Sequence, residues 1–411
     1  MTTITADVAV APRRSFQEVW VISLGHALTH WYPATFYLLL PLIGKELGLS
    51  YSEIGSVLTC QYLAGAIANI PGGIFVDTVG RKGLLMAASL FWIGFPYLIM
   101  GFSHAYWMIL ACATLVGIGN NLWHPSAIPW LANRFPQRKG LVMSIHGMGG
   151  NVGDAVAPLV VGALLGFMSW RNVVVINVVP GVLLAGLMLV YLSRTQNGDG
   201  GNTVADVSAA AISAAERLRM FGALLKNRAL ITLAAGSAFR TMTQGALLTF
   251  LPLYLARQMG YPPLWIGACM FALQAGGFIA APIAGHLSDR VGRRQIILSS
   301  MAMSAVVIFL MLFAGGTGWF VMFVSVLGFF LFAVRAVLQA WLLDATPPAM
   351  GGSAIGLLFA SQAFGQAVGP VSAGIVADHY GLMGAFYFLA ATIVVANFLV
   401  FVTPAGLMKR D

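Results

Sequence analysis

Charge is what this sequence has least of. Of 411 residues, 22 are Lys or Arg and 13 are Asp or Glu, together 9%. Soluble domains carry about 25% charged residues, and so thin a supply cannot cover a surface that faces water. This argues against a soluble enzyme. With 59% hydrophobic residues and a mean hydropathy of +0.85, lipid is the expected outer solvent. Cysteine is nearly missing as well. Cys60, Cys112 and Cys269 stand apart in apolar runs without CxxC spacing, which argues against a disulfide framework or a cysteine zinc site. No Walker motif occurs, so ATP is not the direct energy source, and no cofactor is expected. The net charge of +9 does not point to nucleic acid, because the basic residues fall in alternate loops rather than in one tract or on one face.

What is present is a series of apolar runs. A bilayer core needs about 20 apolar residues per helix. Runs separated by Gly, Pro or charge predict twelve spans, near 17–43, 52–76, 83–102, 107–131, 140–167, 171–193, 229–256, 264–288, 295–315, 318–343, 352–377 and 382–404. The first is too long for a signal-peptide core and lacks a following cleavage site. With the N-terminus inside, Lys45, Arg171 and Arg257 fall outside and Arg240 and Arg335 fall within spans, leaving 17 of the 22 basic residues in cytoplasmic segments. That bias predicts a multi-pass protein of a bacterial inner membrane with both termini cytoplasmic. The fold class expected is all-α and integral to the membrane. Its parts are a tail (1–16), a six-helix bundle (17–193), a cytoplasmic linker (194–228), a second six-helix bundle (229–404) and a second tail (405–411). The linker joins a flexible Gly/Asn-rich stretch to a segment able to form a basic amphipathic helix.

The halves repeat at an offset of 211 to 212 residues. GIFVDTVGRK at 73–82 matches GHLSDRVGRR at 285–294. LLLPL at 38–42 matches TFLPL at 249–253, and GNVGDAVAPLVVG at 150–162 matches FGQAVGPVSAG at 364–374. Repeats of this kind build many secondary transporters. The loop carrying Gly73, Asp77, Gly80 and Arg81, and its copy carrying Gly285, Asp289, Arg290, Gly292 and Arg293, resembles the signature of the major facilitator superfamily. The resemblance implies two six-helix bundles related by a pseudo-twofold axis, and a loop that latches one half to a neighbouring helix. Gly73 and Gly285 are expected to permit close helix approach. Thr78 stands where the family usually has Arg. The Gly/Pro segments of spans five and eleven resemble an element associated with antiporters, with Ala157 in place of one Gly. SLGHALTHWYPATFYLLLPLI, NLWHPSA and GLVMSIHGMGGNVGDAVAPLVVG further resemble the fosmidomycin-resistance branch of drug exporters. His30 and Ser126 stand where that branch often has acids.

Ionisable residues within spans are expensive and mark function by default. Here they are His26, His30, His124, His146 and Asp154 in the first half and Arg240 and Arg335 in the second. By the offset, Arg335 corresponds to His124 and Arg240 to Thr29. The family resemblance puts spans one, four, seven and ten around a central cavity. The expected substrate site comprises Arg240, Arg335, His26, His30 and His124, with Gln61, Asn121, Gln244, Gln339 and Gln362 nearby. Guanidiniums suit an anionic or zwitterionic organic solute. Asp154 and His30 are the candidate proton carriers, and His26 and His30 lie one helical turn apart. No H-E-x-x-H or third-ligand spacing supports a metal, so none is expected. The function expected is secondary active transport of a small solute by alternating access, as proton-coupled export. Uptake of an organic anion is the alternative, and a membrane-embedded metal enzyme is the alternative of another class. Protons, lipid and a small-molecule substrate are the expected partners of a monomer.

Overall fold

A computed structural model describes residues 16–120, 122–196, 222, 226–314, 317–346 and 351–404. Asn121, the side chain of Asp77 and most of the 194–228 linker, all singled out above, lie outside the described residues. The first half contains α1 (Gln17–Glu46), α2 (Tyr51–Val79), α3 (Lys82–Gly101), α4 (Tyr106–Asn120), α5 (Trp123–Arg134), α6 (Lys139–Leu164) and α7 (Trp170–Gln196). The second contains α8 (Arg228–Arg257), α9 (Pro263–Val291), α10 (Arg293–Phe313), α11 (Gly318–Asp344), α12 (Gly351–Tyr380) and α13 (Leu382–Phe401). No strand occurs among the described residues. Helices alone satisfy every backbone group within one segment, which a lipid environment demands.

Seven helices are long and apolar enough to cross a membrane by length and composition: α3, α7, α9, α10, α11, α12 and α13. Helices α1, α2, α6 and α8 are as long, at 26 to 30 residues, but carry more polar and small residues. The fourth expected span departs from the sequence reading, since it is recorded as two helices, α4 and α5. Leu122 hydrogen-bonds back to the Gly119 carbonyl in a three-residue turn. Pro125 has no N–H to donate, which weakens the helical turn before it.

The repeat is present in the packing. Within the first half α1 packs on α6, α2 on α4 and α3 on α7; in the second, α8 packs on α12, α9 on α11 and α10 on α13. The tight crossings recur residue for residue. A Cβ at Gly117 would lie 2.0 Å from the Gln61 carbonyl oxygen, and one at Gly328 1.9 Å from that of Leu273. Gly80 and Gly292, at equivalent positions in the signature loops, end α2 and α9 with φ of 68° and 107°, a conformation glycine adopts without strain.

The halves meet through α2 with α12, α6 with α9 and α1 with α8. These contacts cluster at the end away from the chain termini. There Asp378 of α12 accepts hydrogen bonds from Tyr51 N at 2.7 Å and Ser52 N at 3.0 Å, at the start of α2. Thr59 donates to the Ala367 carbonyl at 2.6 Å, and Arg257 of α8 lies over the Tyr51 ring. On the same side α1 is buried without a break from Ala34 to Pro41, and α8 from Gly245 to Leu255.

Candidate functional site

The first-half cluster is built by three helices. His26 and His30 lie on α1, His124 on α5, and His146, Gly150 and Asp154 on α6. His26 Nδ1 is 2.6 Å from the His146 carbonyl oxygen. A carbonyl only accepts, so Nδ1 carries the hydrogen and Nε2 keeps its lone pair. That Nε2 lies 3.1 Å from His124 Nε2, which therefore donates. His30 Nδ1 lies 2.9 Å from Asp154 Oδ2, and both side chains are 30% exposed. His146 stacks on His26 with ring centres 4.0 Å apart, and both its ring nitrogens are buried without a partner. Glycine at 150 makes the cluster possible. A Cβ there would lie 2.8 Å from His26 Cε1 and 3.0 Å from His30 Nε2.

The second half uses the equivalent positions differently. Ser237 and Thr241 replace the histidines of α1, and Gln362 replaces Gly150. Gln362 Nε2 donates to Ser237 Oγ at 2.8 Å, and Thr241 donates to the Gln362 carbonyl at 2.9 Å. This is an ordinary packed polar contact, so Gln362 joins two helices. Arg240 is 1% exposed. Its Nη1 donates to Gln244 Oε1 at 3.1 Å and to the Leu331 carbonyl at 3.3 Å, and its Nε is buried without a partner. Arg335 is exposed on α11 and close enough to interact electrostatically with both Arg240 and His124. Neither arginine forms an ion pair among the described residues. Gln339 follows Arg335 by one helical turn. Gln61 is buried against α4, where Gly117 crosses its carbonyl.

Three residues join this group without having been singled out. The Tyr37 and Tyr62 hydroxyls are 2.5 Å apart. Tyr62 also hydrogen-bonds Gln366 of α12, and both tyrosines feel the charge of Asp154. Gln366 lies 212 residues after Asp154, so the repeat offset was the signal that could have found it.

The nitrogens of His26, His30 and His124 all lie within 4.8 Å of one another, a grouping able to hold a metal ion. Sequence spacing gave no third ligand, because His124 arrives from another helix. The Arg335 guanidinium near His124 opposes a divalent cation there.

The signature loops do not behave as one feature. Arg293 pairs with Asp289 at 3.4 Å and also with Asp344, tying the start of α10 to the end of α11. Arg81 and Arg290 are exposed. The expected close approach at Gly73 and Gly285 is not found, since a Cβ at either meets open space. Both lie toward the end of the bundle that carries the termini, where the halves stand apart.

A pseudo-twofold pair of helical bundles that meet at one end, with ionisable side chains gathered within the spans, is the architecture of a membrane transporter. The Major Facilitator Superfamily family description matches residues 22–279 and 233–410. The chain belongs to that superfamily, and it is a multi-pass membrane transporter, not an enzyme. It is 24% identical over 372 residues to the fosmidomycin resistance protein of Escherichia coli, covering 89% of this chain and 88% of that protein. It is 22% identical over 421 residues to the phosphoglycerate transporter protein of Salmonella typhimurium, covering 97% and 91%. Its fold resembles that of a bacterial homolog of the human lysosomal transporter Spinster in an inward-facing and occupied conformation. The TM-score is 0.76 at 15% identity, over 94% of this chain and 96% of that one.

Proposed function

We propose that this protein moves a small organic anion by alternating access, coupled to protons. The observation that carries the reading is that Arg240 and Arg335 lie close enough to interact, with no carboxylate paired to either among the described residues. A buried guanidinium bonded only to neutral acceptors is held at a desolvation penalty. A carboxylate, phosphate or phosphonate that accepted from both arginines would relieve it. The rest of the expected site, His26, His30, His124, Gln244 and Gln339, then surrounds the solute, with Gln61 at its margin.

Asp154 and His30 are the proton carriers in this reading, with His26 and His124 behind them. An anion held by the arginines favours a proton on the adjacent imidazole–carboxylate pair. Anion and proton therefore bind together, which suits symport and hence uptake. Export, which the fosmidomycin-resistance relative suggests, is the second reading and requires the two to compete. With the termini in the cytoplasm, the closed end is the outer one and the cavity opens inward.

The test uses proteoliposomes with a pH-sensitive dye inside and an anion added outside. Symport acidifies the lumen, antiport makes it alkaline, and Arg335→Gln is expected to abolish either response. Flux driven only by cations, or unchanged in the variant, would overturn the anion site.

A further inference from the structure

Far from the cavity, the outer surface between α10 and α13 holds a groove of about 510 Å³. Its walls are Leu298 and Ala302 of α10 and Val394, Phe398 and Phe401 of α13. Phe398 and Phe401 are 60% and 61% exposed, so in a bilayer the space between them is filled by lipid. The mouth of the groove is cationic. Arg294, in the first turn of α10, donates through Nη2 to the Phe401 carbonyl, and its guanidinium lies 5.9 Å from the Phe401 ring centre. Its Nε is buried without a partner, and no carboxylate pairs with it among the described residues. Helix α10 also starts at Gly292 without a side-chain cap, so its first N–H groups add positive field at the same place.

Spacing lines these groups up. Arg294, Leu298 and Ala302 recur every four residues and share one face of α10. Asn397 lines the groove one turn above Phe401, and its amide oxygen is buried and unpaired. An amide can turn end for end, so its NH2 can face the same space and donate. From mouth to depth the groove thus offers a guanidinium, an amide donor and an apolar channel. That sequence matches a phosphate, a glycerol ester carbonyl and an acyl chain.

The equivalent face of the first half is packed differently. The positions equivalent to Leu298 and Ala302 are Met86 and Leu90, both fully buried. Lys82 stands where Arg294 would be.

We propose that the α10–α13 groove binds one phospholipid with an anionic headgroup, at the end of the bundle that carries the basic loops. Basic sites between spans on that side suit such headgroups, and each Lys or Arg near the surface contributes about fivefold in affinity.

The test is native mass spectrometry of protein taken from nanodiscs of phosphatidylcholine mixed with phosphatidylglycerol. Wild type and Lys82→Gln are expected to retain one phosphatidylglycerol. Arg294→Gln is expected to bind it about fivefold more weakly, and Ala302→Phe, which fills the channel, to lose it. Melting in pure phosphatidylcholine, unchanged between wild type and both groove variants, shows that they fold. Equal retention of phosphatidylcholine and phosphatidylglycerol by wild type would overturn the proposal. So would undiminished phosphatidylglycerol binding in Ala302→Phe.

Discussion

The closest contacts between the two halves run through glycine, and this makes the closed end open to test. A Cβ at Gly55 would lie 2.3 Å from the Pro370 carbonyl oxygen, and one at Gly267 2.3 Å from that of Pro158. A carbon meets a carbonyl oxygen comfortably at about 3.3 Å, so alanine at either site requires the halves to part by about 1 Å. Overpacking of this kind costs about 1–3 kcal/mol. The cost applies only where the halves touch, so it biases the molecule against this closure by about 5- to 150-fold. Spin labels at Lys45 and Gln258, both exposed at the distal ends of α1 and α8, would report the change. Gly55→Ala and Gly267→Ala should each lengthen that distance distribution, and the double variant should do so further, with normal folding. Gly153→Ala and Gly365→Ala are the controls. Their Cβ atoms would lie 2.1 Å from Ala27 O and 2.0 Å from Ala238 O, within single halves, so they should lower the melting temperature without lengthening the distance. An unchanged distribution in the Gly55/Gly267 double variant would refute the reasoning.

Other expectations follow from single sites. Arg240→Gln removes a buried charge that no carboxylate offsets, so melting should hold steady or rise, while equilibrium anion binding weakens by about 2 kcal/mol, roughly 30-fold. Asp154→Asn keeps an oxygen within reach of His30, 2.9 Å away in the wild type, but removes the carboxylate charge and its proton. Anion exchange in counterflow should persist while proton-driven accumulation is lost; loss of both would make Asp154 a binding residue instead. At the distal end, Glu46 accepts from Trp170 Nε1 at 2.6 Å and from Arg171 at 2.5 Å. The Trp170 bond, then Arg171, holds the Glu46 carboxyl below its ordinary value. Its contribution is therefore complete above the ordinary carboxylate range and disappears as pH falls through the depressed value. The melting difference between wild type and Glu46→Gln should be present at neutral pH and vanish in acid.

Much of the fold was legible because its signals are local or repeated. Hydropathy runs mark the spans, and the offset that aligns Pro158 with Pro370 also aligns Gly55 with Gly267, which face those prolines. The division of span four lay in Pro125, whose missing N–H weakens the turn before it. Other features needed packing to appear. His26 and His30 share a helix face by spacing, but His124 and His146 join them only because α5 and α6 pack there. Gly150 reads as one member of a glycine run until its missing Cβ is seen to admit two imidazoles. Gly73 and Gly285 show the reverse. Their motif implies a close crossing, yet that crossing belongs to the end where the halves stand apart.

The repeat was not kept where the chemistry lies. At the tight crossings the two halves agree to within about 0.1 Å in the pairs compared above. At the cavity they diverge. His26, His30 and Asp154 occupy positions that Ser237, Thr241 and Gln366 fill in the second half, while Arg335 answers His124 and Arg240 answers Thr29. A symmetric cavity would put the same charge on both walls, so any one ligand would be attracted or repelled equally by each. In the proposed reading one wall holds the candidate proton carriers, and the other holds the two arginines that take the anion. An anion spanning the two walls touches a fixed charge on one side and a variable one on the other. Its affinity must then follow proton occupancy, and by reciprocity proton occupancy must follow the anion. Replacing both candidate carriers, as His30→Gln with Asp154→Asn, should therefore leave anion binding intact and remove its pH dependence, which equilibrium binding at pH 5.5 and 7.5 would decide.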